Sequence, residues 1–148
     1  MIRASMLNIF FPSKNKKLVK KWTKEHKIIV QLATTVIESY TAGDHKACKK
    51  ALKSLNSLAV DHVMNEDIEF YRLLKKEGAL DIHTVDMVHT FTRTFQGTKV
   101  TLMNFLNKYA MPKTALDDEF IESFKELVSV LGERIAYEEK NLYSRLSA

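Results

Sequence analysis

The chain has 148 residues, enough for one domain with one substantial core. It is 45% hydrophobic and 28% charged with a net charge of +5, which excludes a disordered or collagen-like chain. The single cysteine, Cys48, excludes an internal disulfide framework and a CxxC-type zinc site and fits a reducing cytoplasm. Four Gly and two Pro are too few for the frequent turns of a β-sandwich or barrel, so long helices remain.

Residues 1–13 read as an N-terminal arm, and residues 14–148 as the folded domain. The opening stretch from Met1 to Pro12 has a short apolar patch but no small-residue cleavage site, and is too short for a secretory signal. Met6 would serve equally well as a start. No apolar run approaches the roughly 18–20 residues that span a bilayer, so no membrane association is expected.

Four segments make up the domain. The first spans about Ser13 to Tyr40 and stops at Thr41-Ala-Gly43-Asp44. Asp44 suits the N-cap of the second, which continues to Lys76 and ends at Glu77-Gly78. The third runs from near Asp81 to Tyr109, with Gly97 as a weak point and Pro112 as its stop. The fourth opens with Thr114, Asp117 and Asp118, acids suited to a helix N-terminus, and reaches about Leu146. Long segments with short connections predict an all-α, up-down-up-down antiparallel four-helix bundle.

Charge is uneven along these segments. Residues 1–60 hold 12 Lys/Arg against Glu25, Glu38 and Asp44, whereas residues 61–148 carry an acidic excess. Lys16, Lys17, Lys20, Lys21, Lys24 and Lys27 fall mainly away from the apolar stripe of their helix, with no interleaved aromatics to stack bases. They read as a solvated face, and no nucleic-acid partner is expected.

The apolar stripes have informative breaks. Val19, Trp22, Ile29, Ala33, Val36 and Tyr40 line the first segment, interrupted only at His26. Leu52, Leu55, Ala59, Phe70 and Leu73 line the second, interrupted at His62 and Glu66. Phe120, Phe124, Leu127, Leu131 and Leu142 line the fourth, interrupted at Arg134 and Glu138. Imidazole and charged groups on an inner face are costly unless paired, hydrogen-bonded or bound to metal. Each segment's break opens in its middle third, at His26, His62 and Arg134, so an antiparallel bundle places the breaks at similar depth. His62 and Glu66, one turn apart, share a face and can offer a nitrogen and a carboxylate to metal. On the third segment His89 comes one turn after Val85. The strongest stripe there (Val88, Phe91, Phe95, Leu102, Phe105) lies about one residue away, so spacing leaves His89 as either a partly buried histidine or a ligand.

A weak internal repeat joins two of these breaks. His62-Val-Met-Asn-Glu66-Asp67-Ile-Glu-Phe70-Tyr71 aligns with Arg134-Ile-Ala-Tyr-Glu138-Glu139-Lys-Asn-Leu142-Tyr143. With these residues the chain resembles the hemerythrin-like (HHE cation-binding) domains over about residues 15–146. The resemblance implies a four-helix bundle holding a non-haem di-iron centre. That family's pattern is a His on the first helix, His-x-x-x-Glu on the second, one or two His on the third and His-x-x-x-Glu/Asp on the fourth. His26, His62, Glu66, His89 and Glu138 match it and are the implied metal ligands. Arg134 stands where the fourth-helix His would be, and Arg93 where a second third-helix His occurs. Guanidinium stays protonated and cannot ligate. On the core face Arg134 can pair with Glu66 or Glu138 and supply the charge an iron would otherwise give, which leaves open a site with one metal, a depleted pair, or none.

The resemblance implies an iron-binding domain that binds or senses O2, NO or iron itself, and a monomer or weak homodimer is expected. The chain shows no phosphate loop, dinucleotide fingerprint or nucleophile–base pair, so turnover of an organic substrate is not expected. Two other resemblances are weaker. Asn15-Lys-Lys-Leu18-Val-Lys-Lys-Trp22 and Leu127 to Lys140 are similar to the Rsd/AlgQ anti-sigma regulators, which would imply a metal-free bundle that binds a sigma factor or another protein. A histidine phosphotransfer domain with phospho-acceptor His89 lacks its usual context, since Thr90-Phe-Thr-Arg93 comes next.

Overall fold

The computed structural model describes residues 13–146, so the expected arm at residues 1–13 lies outside the described residues except for Ser13. Four long helices occur: α1 (Lys14–Thr41), α2 (His45–Lys75), α3 (Ile82–Ala110) and α4 (Asp118–Tyr137). A π-helical turn, Glu138–Leu142, and a short helix α5, Tyr143–Leu146, continue α4 to the end of the described chain. The connections at residues 42–44, 76–81 and 111–117 are short, so successive helices pack side by side in a four-helix bundle.

Side chains start each helix as the sequence suggests. Ser13, Asp44, Asp81 and Asp117 accept hydrogen bonds from the backbone N–H of Lys16, Ala47, Thr84 and Phe120, at 3.2, 3.0, 2.9 and 2.9 Å. Gly43 and Gly78, at φ +76° and +75°, take the left-handed backbone just past α1 and α2. Lys49 closes α3 from a neighbouring helix, donating to the carbonyls of Tyr109 and Met111. Helix α3 runs unbroken through Gly97. Helix α4 begins at Asp118 rather than near Thr114, because Asp117 supplies the cap.

The core falls into two apolar clusters. One gathers Val36, Leu52, Leu55, Leu106, Phe120 and Phe124, among others. The other holds Trp22, Phe70, Leu73, Val88, Phe91, Leu142 and Tyr143. Along α1 the clusters are separated at His26, along α2 at His62 and Glu66, and along the α4 end at Glu138. A polar layer thus divides an otherwise apolar interior.

Phe120 anchors the first cluster. It is fully buried and packs its ring 4.9 Å from Tyr109 and 5.8 Å from each of Tyr40, Phe105 and Phe124. Phe120→Ala is expected to lower unfolding free energy by about 3–5 kcal/mol, the usual effect of emptying a packed aromatic site. Urea denaturation checks this, and a loss below about 1 kcal/mol would contradict that packing.

Candidate metal centre

His26 projects from α1, His62 and Glu66 from successive turns of α2, and Glu138 from the first position of the π turn. They are buried, with relative exposures of 2%, 4%, 5% and 5%. One donor atom from each lies within 4.8 Å of all the others. His26 Nε2 is 3.0 Å from His62 Nε2 and 3.5 Å from Glu138 Oε1, and His62 Nε2 is 3.6 Å from Glu66 Oε1.

The far side of each ring explains this orientation. Glu25 Oε1 is 2.9 Å from His62 Nδ1, and Glu139 Oε1 is 3.4 Å from His26 Nδ1. A carboxylate only accepts, so each neutral imidazole places its hydrogen on Nδ1 and turns the Nε2 lone pair inward. Two lone pairs and two carboxylates then face one another where little water reaches. Such a set is stable only if protons or a cation neutralise it. A cation with nitrogen and oxygen preferences fits this donor set, and carboxylates behind ligating imidazoles are the usual way of holding them.

Proton affinities show the strain of the set by itself. Burial pushes the Glu138 carboxyl up to about 7. Burial and then the neighbouring charge of Glu138 push Glu66 well above the usual carboxylate range. Tyr143 completes the arrangement: its buried hydroxyl donates to Glu66 and lies 3.4 Å from both Glu138 Oε2 and His26 Nε2. Burial, and after it the two nearby carboxylates, raises its own pKa, so the phenol keeps its proton when no cation is present.

Four of the five residues singled out from sequence therefore meet. The fifth does not: His89 is exposed on α3, because Val88 and Phe91 take the inward positions beside it. Phe95, Leu102 and Leu106, not His89, are the α3 side chains lining the space next to the cluster. Arg134 does not take up the pairing open to it on the core face. Its guanidinium turns from the carboxylates to α3, donating to Thr94 Oγ1 at 2.9 Å and the Thr94 carbonyl at 2.8 Å. It lies over the rings of Phe91 and Phe95, 5.4 and 5.5 Å from their centres. Arg93 is exposed. Sequence reasoning missed Glu25, Glu139 and Tyr143: two are only chain neighbours of His26 and Glu138, and the third ends the internal repeat.

An apolar cavity of about 230 Å³ opens beside the cluster, lined by all four long helices. Ala33, Ala59, Leu106, Phe124 and Leu127 form its walls, and His26, His62, Glu66 and Glu138 its polar end. The open side of the cluster thus faces hydrocarbon.

A helical bundle whose core is split by a buried imidazole–carboxylate layer defines a cation-binding class of domain. The family described as Hemerythrin HHE cation binding domain matches residues 17–146, and the chain belongs to it. No curated protein and no solved structure matches the chain. No helix among the described residues is long and apolar enough to cross a membrane.

Two outcomes are expected. The folded state binds the Glu138 proton more tightly than the unfolded chain, because the folded pKa lies at about 7 rather than 4.5. Burying this group therefore costs little below about pH 4.5, and the cost grows to about 3 kcal/mol as pH rises through 7. In chelator-treated protein, Glu138→Gln should gain stability over wild type across that window, and a pH-independent difference in urea unfolding would contradict it. Arg134→Ala should cost only about 1–2 kcal/mol, the loss of ring contacts and two exposed hydrogen bonds. A loss of about 3–5 kcal/mol, the mark of a broken buried ion pair, would return Arg134 to the carboxylates.

Proposed function

We propose that the chain binds iron through His26, His62, Glu66 and Glu138 and uses that centre to bind or sense O2 or NO. The observation that carries this reading is the convergence of four buried donors, with both imidazoles backed by carboxylates. Membership of a cation-binding family supports it. Imidazole and carboxylate without thiolate suit iron, manganese or zinc, and bound iron would supply a redox-active centre able to bind a diatomic gas.

The chain's own residues have distinct tasks in this reading. His26 and His62 supply neutral nitrogens, and Glu25 and Glu139 keep their hydrogens on the outer ring atoms. Glu66 and Glu138 supply the negative charge that draws a cation from water. The cavity walls admit an uncharged diatomic molecule and hold bulk water away from the cluster.

Iron analysis of protein from iron-supplemented cells should find close to one or two ions per chain. Glu66→Ala and His62→Ala should each abolish retention, whereas His89→Ala should keep it. Folded protein without iron would overturn the metal assignment, and iron unchanged in Glu66→Ala would overturn the site. Reduced iron-loaded protein should change its visible spectrum reversibly with O2 or NO. An unchanged spectrum would remove the gas and leave iron itself as the signal.

A further inference from the structure

Tyr143 lies five positions after Glu138. In a regular α-helix that spacing turns two side chains about 140° apart, onto different faces. Here the π turn over Glu138–Leu142 inserts an extra residue, and the Tyr143 N–H bonds back to the Glu138 carbonyl. The wider turn brings both side chains to the same polar layer. Turns of this kind occur frequently at functional sites.

The phenol is held there from both sides. The Tyr143 ring is 2% exposed, stacks on His26 with centroids 5.6 Å apart and an interplanar angle of 14°, and packs 5.5 Å from Trp22. Trp22 is fixed in turn by its indole N–H, which donates to Asn65 Oδ1 at 2.8 Å. Tyr143 Oη reaches donor atoms of three of the four clustered residues: Glu66, Glu138 and His26. Adjacent ligands around an ion at about 2.1 Å lie about 3 Å apart, close to the 3.4 Å separations from Glu138 Oε2 and His26 Nε2.

We propose that Tyr143 is a further metal ligand, its phenolate oxygen joining His26, His62, Glu66 and Glu138 on one iron(III). This rests on the reading of the cluster as an iron site. The chemistry balances: the phenol O–H bond breaks, an iron–oxygen bond forms, the proton leaves to bulk water and no electron moves. Two carboxylates and one phenolate carry three negative charges, matching a single iron(III). The tyrosine also stands in for the imidazoles missing from the third and fourth helices, since His89 is exposed and Arg134 turns to Thr94.

The test uses the full chain loaded with iron(III). A phenolate-to-iron(III) charge-transfer band should colour the protein in the visible, and Raman excitation into that band should enhance tyrosinate ring modes. Tyr143→Phe should lose band and modes while keeping its iron. In case that variant does not fold, ring-deuterated tyrosine in the wild-type chain should shift the same modes. The other four tyrosines are elsewhere: Tyr71 and Tyr137 are exposed, and Tyr40 and Tyr109 pack with the opposite cluster. Bound iron without the band, or a band that survives in Tyr143→Phe, would overturn the proposal while leaving the iron site standing. No iron in any form of the chain would overturn the site and this ligand together.

Discussion

Two imidazole nitrogens face each other at 3.0 Å inside this bundle, with two carboxylates beside them and carboxylates behind both rings. Each group is an acceptor turned toward other acceptors, in a place where water cannot relieve the repulsion. Nothing in apolar packing alone would keep such an arrangement. It holds when protons or a cation sit among the groups, and the raised pKa values of Glu66 and Glu138 express the first alternative. Family membership points to the second.

Much of the remaining architecture serves this layer. Apolar clusters lie on both sides of it, so the helices are held by hydrocarbon above and below while the middle stays polar. Antiparallel packing brings the centre of α1, the centre of α2 and the end of α4 to one depth. The π turn then allows positions five apart in the chain to deliver both Glu138 and Tyr143. The apolar cavity lies beside the cluster, with His26, His62, Glu66 and Glu138 at its polar end.

Helix limits were legible because the signals are local: Asp44 and Asp81 cap through their own side chains, and Gly43 and Gly78 adopt φ values other residues rarely do. His26, His62, Glu66 and Glu138 were legible because each interrupts an apolar stripe of fixed period. His89 was not, since the rotation of α3 is set by Val88 and Phe91 packing inward, and a shift of one residue moves a side chain by about 100°. Arg134 breaks a stripe as Glu138 does, yet its length lets it reach Thr94 on another helix. Tyr143 was hidden for a different reason. A regular helix would point it away from Glu138, and nothing local in Glu138-Glu-Lys-Asn-Leu142 announces a π turn.

The most direct test of the account is X-ray absorption at the iron edge of the iron-loaded chain. The account predicts a nitrogen and oxygen shell together with the outer scattering of imidazole rings, from His26 and His62. Iron surrounded by oxygen alone, with no imidazole scattering, would contradict it.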